Sequence, residues 1–352
     1  MIKVLTIVGA RPQLIKAAAI SRAIRNKFQD DIEEVMLHTG QHYDENMSSI
    51  FFDELSIPKP KYHLNINQMN HGEMTGRMLS EIERILVVEE PDGVLVYGDT
   101  NSTLAGSLAA AKLNIPVFHV ESGLRSVNRA IPEEINRIVT DHISSQLFCP
   151  TQNASNGLKV EGIKEGVIFS GDVMYDLFCK SNNLTKDFKN PIVLATIHRP
   201  ANTDNPNALK AIINGLEEIN KKIKVVFPVH PRTEKKIQEF GLQPKINMVS
   251  PLSYKEILHH LSFAEMVITD SGGLQKEAYF AKTKCITVRS ETEWTELIDI
   301  GVNRLSAPSE LYDAFESMRA KKCDFSPQLY GDGNAGRIIV DSIVEFISSG
   351  KC

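Results

Sequence analysis

The strongest constraint on the fold is an alternation, repeated twice along the chain, between short apolar runs and amphipathic segments of helical period. The first half contains the apolar runs "KVLTIV", "EEVMLHT", "GVLVYGD", "IPVFHVE" and "SQLFCPT", and the second half contains "PIVLATIH", "IKVVFPVH", "EMVITDS" and "KCITVRS". Segments such as "NSTLAGSLAAAKLN" and "NALKAIINGLEEINKK" separate them. Continuous apolar strands with helical crossovers are typical of parallel sheets covered on both faces. The pattern predicts an α/β fold with two Rossmann-like domains, each built on a parallel sheet.

The length of the chain and a polar stretch near its middle predict where one domain gives way to the next. A chain of 352 residues exceeds what one hydrophobic core usually supports. The first block of strands ends near "VIFSGDVMYD", and the polar stretch "KSNNLTKDFKNP" precedes the next apolar strand. We therefore predict an N-terminal domain over residues 1–171 and a C-terminal domain over residues 172–335.

Charge and cysteine usage exclude several classes of protein. The formal net charge of -5 argues against a nucleic-acid or anionic-membrane binder, which needs a basic face. No apolar run of about 18 residues is present to span a bilayer, and the N-terminus has no signal-peptide layout. The five cysteines are scattered and show no CxxC spacing, so a reducing compartment is indicated and we expect a cytoplasmic protein.

Polar and charged side chains follow the predicted strands at the edge where parallel sheets bind their ligands. In chain order they are Arg11, Lys16, Asp99, Glu121, His198, His230, Asp270 and Ser271. Two sheets that face each other across a cleft would bring these side chains together. Glu133 and Arg137 in "PEEINR" also have a purely structural interpretation. An acidic residue in the first turn of a helix complements the helix dipole, and an ion pair between Glu133 and Arg137 would stabilise the helix. In the company of Asp99 and Glu121, Glu133 indicates a carboxylate cluster with pKa values suited to proton transfer.

The stretch "TDSGGLQKEA" predicts a strand that ends where a helix begins. Ser271, Gly272 and Gly273 at that point would leave backbone N–H groups accessible to a phosphate, in front of the positive end of the helix. Glu277 lies one turn further and can accept hydrogen bonds from a ribose diol. An ordinary N-cap with glycines that permit close packing explains the same residues equally well.

Histidine and glycine spacing bears on the kind of chemistry. His198 with Arg199, and His230 with Arg232, follow neighbouring predicted strands, which favours an anion-binding or acid–base role. The histidines show no close metal-ligand spacing, so we expect no metal. Neither GxGxxG nor GxxxxGK[ST] is present, so no dinucleotide cofactor and no nucleoside-triphosphate hydrolysis is expected.

Ten landmarks, in order along nearly the whole chain, carry a resemblance to a known family. They are "GARPQLIK", "HTGQHYDENM", "VYGDTNSTLAG", "HVESGLRS", "PEEINR", "HRPANTD", "FPVHPR", "TDSGGLQKEA", "TVRSETEW" and "YGDGNAGRI". With them the chain resembles the non-hydrolysing UDP-N-acetylglucosamine 2-epimerases. The resemblance implies a GT-B-like pair of domains around a cleft, a last helix over about residues 336–352 that packs back on the first domain, and a homodimer. It also implies a UDP-sugar substrate and no cofactor.

The resemblance further implies a reaction and a set of site residues. A base removes the C2 proton while UDP leaves C1, and UDP adds back to the glycal after protonation from the opposite face. The implied catalytic residues are Asp99, Glu121, Glu133 and His198. The implied substrate-binding residues are Arg11, Lys16, Arg137, His230, Ser271, Gly272, Gly273, Glu277 and Arg289. Gln41 and Arg77 lie in motifs that hold an activating second substrate in bacterial members, and which group is the base stays open.

Several alternatives to UDP-N-acetylglucosamine 2-epimerisation stay open at this point. The variants "GARPQ", "HRPAN" and "SETEW" resemble the subgroup that acts on UDP-2,3-diacetamido-2,3-dideoxyglucuronate. A GT-B glycosyltransferase would share the fold and the UDP site but would not need three carboxylates and His198. A hydrolysing epimerase would carry a different motif from "GARPQ" after its first strand. A nucleotide-sugar sensor would keep the cleft without the carboxylates.

Overall fold

The computed structural model describes residues 1–41, 57–126, 130–180 and 189–350. Part of the "HTGQHYDENM" landmark, most of the predicted linker "KSNNLTKDFKNP" and Cys352 lie outside the described residues. The chain divides into two compact units. Unit 1 comprises Met1–Ser181 and Gln328–Cys352, and unit 2 comprises Asn182–Pro327. Within the described ranges, no helix combines the length and the apolar character that a bilayer crossing requires.

Unit 1 is built on a seven-stranded sheet whose strands are all parallel. The strands are β1 (Ile2–Val8), β2 (Ile32–His38), β3 (Tyr62–His63), β4 (Gly93–Tyr97), β5 (Val117–Val120), β6 (Gln146–Cys149) and β7 (Val167–Phe169). Their order across the sheet is β3-β2-β1-β4-β5-β6-β7. The helices are α1 (Arg11–Lys27), α2 (His71–Glu89), α3 (Asn101–Lys112), α4 (Pro132–Ile143), α5 (Gln152–Val160) and α6 (Val173–Lys180).

Unit 2 repeats this plan with a six-stranded parallel sheet. The strands are β8 (Ile192–Thr196), β9 (Lys224–Pro228), β10 (Asn247–Val249), β11 (Ala264–Thr269), β12 (Lys284–Thr287) and β13 (Asn303–Leu305), in the order β10-β9-β8-β11-β12-β13. The helices are α7 (Pro200–Thr203), α8 (Pro206–Asn220), α9 (Pro231–Glu239), α10 (Tyr254–Phe263), α11 (Gly272–Phe280), α12 (Thr295–Asp299) and α13 (Leu311–Ala320), with a 3₁₀ turn at Pro308–Glu310.

The apolar runs form these strands because both faces of each sheet are buried. All five residues of β4 are buried, and the apolar residues of β8 and β11 are almost wholly buried. The amphipathic α2 buries the stripe Met74, Met78, Ile82 and Leu86 and turns its other face to solvent, as its helical spacing predicts. The predicted fold class, α/β with two Rossmann-like parallel sheets, is confirmed.

In each unit the chain adds strands first toward one edge of the sheet and then toward the other. The loops that follow the two central strands therefore leave the sheet in different directions. The chain runs outward from β1 to β3 on one side and from β4 onward on the other, so the loops after β1 and β4 separate. Unit 2 has the same arrangement after β8 and β11. In doubly wound sheets such a topological switch point is the place for a ligand crevice.

The last helix, α14 (Ala335–Ser348), belongs to unit 1 and is attached there by a buried carboxylate. Asp176 on α6 accepts hydrogen bonds from the backbone N–H groups of Ala335 and Gly336, at 2.9 and 2.7 Å. Phe346 packs edge-on against Phe118 of β5, with ring centroids 5.7 Å apart. Burial raises the pKa of Asp176 to about 6, against the lowering effect of the two backbone donors.

Candidate functional site

A glutamine that fills the switch point of unit 1 ties the loops after β1 and β4 together. The side-chain oxygen of Gln13 accepts the N–H groups of Gly9 and Ala10, at 2.8 and 3.1 Å. Its amide nitrogen donates to the carbonyl of Tyr97 at 2.7 Å and lies 3.0 Å from the hydroxyl of Thr100. Gln13 is 1% exposed, so both ends of its amide are satisfied inside the protein. The loops that carry Arg11 and Asp99 are therefore held in one arrangement.

A buried ion pair lies at this edge of the sheet. Lys16 of α1 and Glu121, directly after β5, pair at 2.6 Å between Nζ and Oε1, and their side chains are 9% and 11% exposed. The chain passes close to this pair at Gly98, which has a φ of +61°. A Cβ at that position would lie 3.1 Å from Nζ of Lys16. Glycine at 98 thus serves both the left-handed backbone and the approach of the lysine.

Glu121 itself has a left-handed backbone, with a φ of +70°. This conformation costs a non-glycine residue on the order of 1–3 kcal/mol, and it persists only where the surroundings enforce it. The N–H groups of Glu121 and Ser122 both donate to the carbonyl of Phe148 at 3.1 Å, which holds the turn. Such strain at a partly buried carboxylate favours a functional role over a structural one.

Asp99 and Arg137 form the second ion pair of this cluster. The Nη2 group of Arg137 donates to Oδ2 of Asp99, and its Nη1 group donates to Oε2 of Glu134 at 3.0 Å. The side chains of Arg137 and Glu134 are nearly buried, whereas that of Asp99 is 26% exposed. The carboxylate of Asp99 is therefore held by an arginine while one part of it faces solvent.

The electrostatic surroundings raise the pKa of Asp99 above its ordinary value. Burial is the largest influence, and the nearby carboxylates of Glu121 and Glu133 act in the same direction. The positive charges of Arg137 and Lys16 oppose them without prevailing. An aspartate with a raised pKa is a stronger base than an exposed one, which suits proton transfer near neutral pH.

Asp270 ties two loops together at the switch point of unit 2, as Gln13 does in unit 1. It is fully buried and accepts the N–H groups of His198 and Arg199, the latter at 2.9 Å, together with the amide of Asn202 at 2.9 Å. Nδ1 of the His198 ring lies 3.1 Å from Oδ1 of Asp270, and the His198 side chain is 39% exposed. Because the aspartate engages Nδ1, Nε2 is the ring nitrogen left for proton transfer.

The start of α11 combines a helix cap with a close contact. Oγ of Ser271 accepts the N–H of Leu274 at 3.5 Å as the N-cap. A Cβ on Gly272 would lie 2.5 Å from Oε1 of Glu293, so a larger residue there would displace the carboxylate that lies beside the first turn. Arg289 pairs with this Glu293 at 3.0 Å. Negative charge is thus already placed at the positive end of the helix.

The other predicted residues have the following positions. In unit 1, Arg11 begins α1 and is half-buried, and the side chain of Gln41 accepts the N–H and hydroxyl of Ser102 at 3.0 and 2.8 Å. Arg77 forms an exposed ion pair with Glu73 on α2. In unit 2, Glu277 is buried in α11 about one turn after Gly272 and Gly273, and His230 caps α9 by accepting the N–H of Arg232 at 3.1 Å.

Three residues that support the site were missed as site residues by the sequence analysis. Gln13 stands in the quoted "GARPQ", Asp270 has a predicted position at a strand end and no assigned role, and Glu134 stands in "PEEINR", where only Glu133 and Arg137 are singled out. Gln13 and Asp270 act through partners that are distant in sequence, Tyr97 and His198, whereas Glu134 pairs with Arg137 three residues along the same helix. Position after a predicted strand could have pointed to Gln13 and Asp270, and helical spacing from Arg137 could have pointed to Glu134.

Comparison with known proteins gives consistent matches over nearly the whole chain. The sequence model of the family described as UDP-N-acetylglucosamine 2-epimerase matches residues 25–344. A UDP-N-acetylglucosamine 2-epimerase homolog of Methanococcus maripaludis is 48% identical, over 96% of this chain and 98% of that protein. The UDP-2,3-diacetamido-2,3-dideoxy-D-glucuronate 2-epimerase of Pseudomonas aeruginosa is 46% identical, over 97% and 99%. The crystal structure of Methanocaldococcus jannaschii UDP-GlcNAc 2-epimerase in complex with UDP-GlcNAc and UDP is 42% identical and covers 98% and 100%, with a TM-score of 0.86.

Proposed function

The chain belongs to the UDP-N-acetylglucosamine 2-epimerase family, and on that premise we propose which of its residues carry the reaction. It is a non-hydrolysing epimerase that inverts C2 of a UDP-activated 2-acetamido sugar. In this reaction a base removes the proton at C2 as the bond between C1 and UDP breaks, which forms a C1=C2 double bond. Protonation of C2 from the opposite face and return of UDP to C1 complete the inversion.

The single observation that carries the residue assignment is the carboxylate cluster of unit 1. Asp99 and Glu121 lie beside the cations Arg137 and Lys16, and Glu133 acts on the pKa of Asp99. Inversion at C2 needs two proton-transfer groups on opposite faces of the sugar and positive charge near the departing diphosphate. We assign proton transfer to Asp99, Glu121, Glu133 and His198. We assign binding of the diphosphate and of the reacting sugar to Arg11 and Lys16. Arg137 supports the carboxylates.

We assign nucleotide binding to residues of unit 2 around α11. Ser271, Gly272 and Gly273 would offer backbone N–H groups to phosphate at the helix start, and Arg289, which pairs with Glu293 beside that start, would add positive charge once the phosphate takes the place of this carboxylate. Glu277 would accept hydrogen bonds from the ribose hydroxyls. His230, whose pKa is lowered by burial and by neighbouring positive charge, would be a neutral partner of the substrate at pH 7.

Replacement of Glu277 by Ala is expected to weaken UDP binding by about 10- to 100-fold, the range for losing hydrogen bonds to a charged group. Calorimetric titration of UDP into the wild type and the variant measures the dissociation constant. Glu277→Gln, which keeps one acceptor oxygen, should fall between them. An unchanged UDP affinity in Glu277→Ala would remove the ribose assignment.

UDP-N-acetylglucosamine is the substrate that we propose, with UDP-N-acetylmannosamine as the product. Relatives at 48% and 43% identity bear that family name. A second candidate is UDP-2,3-diacetamido-2,3-dideoxyglucuronate, because the relative that is 46% identical acts on it by name. The two substrates differ at C3 and C6 of the sugar and share the C2 chemistry.

Proton NMR of each UDP-sugar, incubated with the enzyme in D₂O, tests the function. Deuterium at C2 together with signals of UDP-N-acetylmannosamine would establish the proposed substrate. Exchange with the diacetamido-uronate alone would establish the second candidate. Release of free sugar and UDP would contradict a non-hydrolysing reaction, and the absence of exchange with both substrates would contradict 2-epimerisation.

We further propose that the enzyme is a homodimer in the cytoplasm. The proposal of a dimer is supported by the family resemblance, and analytical ultracentrifugation at micromolar concentration tests it. The cytoplasmic location is supported by the free thiols of Cys149, Cys179, Cys285 and Cys323. Cell fractionation with an antibody against the chain tests the location.

A further inference from the structure

A fully buried histidine with two acceptor partners lies behind the carboxylate cluster of unit 1. Nδ1 of His119 is 2.7 Å from Oδ1 of Asp141, and Nε2 is 2.8 Å from the carbonyl oxygen of Gly98. His119 is 0% exposed and Asp141 is 1% exposed. The other oxygen of Asp141 accepts the N–H of Gly123 at 3.1 Å and Nη1 of Arg125 at 2.7 Å.

These partners fix the protonation of the His119 ring. A backbone carbonyl can only accept a hydrogen bond, so Nε2 must carry a proton. Burial acts to raise the pKa of Asp141, but the hydrogen bonds and charges of His119 and Arg125 outweigh it, so the pKa lies below its usual value and the group is ionised. Nδ1 of the ring and Oδ1 of Asp141 are joined through one proton at 2.7 Å, while Nε2–H donates to the Gly98 carbonyl. Both ring nitrogens are therefore held by hydrogen bonds, which fixes the orientation of the ring.

His119 and its two partners lie on or beside the three elements that carry the proposed proton-transfer groups of unit 1, which are Asp99, Glu121 and Glu133. Gly98 directly precedes Asp99 after β4, and His119 itself stands at the end of β5, two residues before Glu121. Asp141 lies one helical turn after Arg137 on α4. We propose that His119 is a positioning residue of the epimerase, which fixes the Asp99 loop against β5 and α4 through its bond to the Gly98 carbonyl.

The bond to Gly98 matters more for turnover than the bond to Asp141, for a physical reason. Gly98 directly precedes Asp99 and has a left-handed φ of +61°, so a shift of this turn would move the backbone that carries the Asp99 carboxylate. A displacement of about 1 Å in a catalytic group can cost about 100-fold in rate. Asp141 keeps Arg125 and the Gly123 N–H if His119 is lost, whereas the Gly98 carbonyl would lose the ring that holds it. This inference rests on the proposed role of Asp99.

Two amide substitutions separate the two bonds of the ring. The side-chain nitrogen of Gln is placed as Nε2 of His and can keep the bond to Gly98, whereas the nitrogen of Asn is placed as Nδ1 and can keep the bond to Asp141. We expect His119→Gln to retain a kcat within about 10-fold of the wild type and His119→Asn to lose about 100-fold. The KM and the UDP affinity should stay within about threefold in both, since neither variant alters the nucleotide site.

The stability of the two variants should follow the opposite order. His119→Asn keeps the bond to an ionised partner and His119→Gln does not, so the Asn variant should have the higher midpoint of thermal unfolding by circular dichroism. A role in stability alone would make the more stable variant the more active one. Equal kcat values, wild-type kcat in both, or a greater loss in the Gln variant would overturn the proposal.

Two further measurements keep the outcome unambiguous. Asp99→Asn is assayed in parallel, because wild-type turnover there would refute the role of Asp99 itself, whereas a loss there with equal His119 variants would refute only the positioning role. If a His119 variant does not fold, ¹⁵N NMR of the histidine rings in the wild-type enzyme gives the protonation directly. A protonated Nε2 on the buried ring is expected, and a bare Nε2 would overturn the proposal, because it could not donate to the Gly98 carbonyl.

Discussion

Asp99→Asn is expected to lower kcat by about 100-fold or more, the scale of a general acid–base group, while UDP remains bound with nearly unchanged affinity. The amide fills the same space and can still accept the bond from Arg137, but it cannot take up a proton. The loss should be large because burial, Glu121 and Glu133 together give the carboxylate of Asp99 a raised pKa. Glu133→Gln should also lose turnover, by a similar factor.

Steady-state kinetics of UDP-sugar epimerisation and calorimetric titration of UDP measure the two quantities. A matched control is Glu81→Gln, because Glu81 lies on α2 in an exposed ion pair with Arg84 and should leave both values unchanged. Near-normal turnover in both Asp99→Asn and Glu133→Gln would remove the carboxylate assignment. It would also reopen the glycosyltransferase or sensor interpretation of the site residues.

Asp270→Ala is expected to destabilise unit 2 by about 3–5 kcal/mol and to abolish most turnover. The substitution leaves the part-buried N–H groups of His198 and Arg199 without their acceptor, and each such loss costs about 1–3 kcal/mol. It also frees the His198 ring, whose Nδ1 the aspartate engages. Denaturant unfolding followed by the fluorescence of Trp294, the single tryptophan of the chain and a buried residue of unit 2, measures the free energy of unfolding.

The matched control for this prediction is Asp204→Ala. Asp204 pairs with Arg232 at 2.6 Å, but both side chains are more than 40% exposed, so the expected loss is below about 1 kcal/mol. A similar free energy of unfolding in Asp270→Ala and Asp204→Ala would contradict the role of Asp270.

The stabilisation by Asp270 should also depend on pH in one direction. Burial raises its pKa, but the bonds and charge of His198 and the bonds of Asn202 and Arg199 outweigh this and lower it below the ordinary value. The contribution is therefore fully present above the unfolded pKa of about 4 and is lost as the pH falls through the folded pKa. The difference in unfolding free energy between the wild type and Asp270→Ala, measured from pH 7 downward, should shrink only in the acid range.

Much of the fold could be predicted from local pattern. The strand of "GVLVYGD" and the helix of "NSTLAGSLAAAKLN" are found as β4 and α3, because an apolar run with a crossover helix has few other ways to bury itself. The family resemblance and the reaction are likewise confirmed, because the family model and the relatives match nearly the whole chain. The order of the strands was not predicted, because nothing in a strand's own residues states which neighbour it will pair with.

The candidate site shows the same division. Asp99, Glu121 and His198 could be singled out because each follows a predicted strand. The partners that determine their behaviour could not be, since Lys16 meets Glu121 across 105 positions of sequence and Asp270 meets His198 across 72. The sequence suggested an ion pair between Glu133 and Arg137. In the structure Arg137 forms ion pairs with Glu134 and Asp99.

The sequence alone determined the alternation of strands and helices, the chemical types of the site residues and their place at strand ends. These properties follow from the period of the hydrophobic residues and from the local order of residues, and the sequence contains both directly. The tertiary structure alone decided that Gln13 and Asp270 join the loops at the two switch points and that His119 lies between Asp141 and the Gly98 carbonyl. Hydrogen bonding and burial depend on which distant groups the packed chain brings within about 3 Å, and a linear pattern does not contain that information.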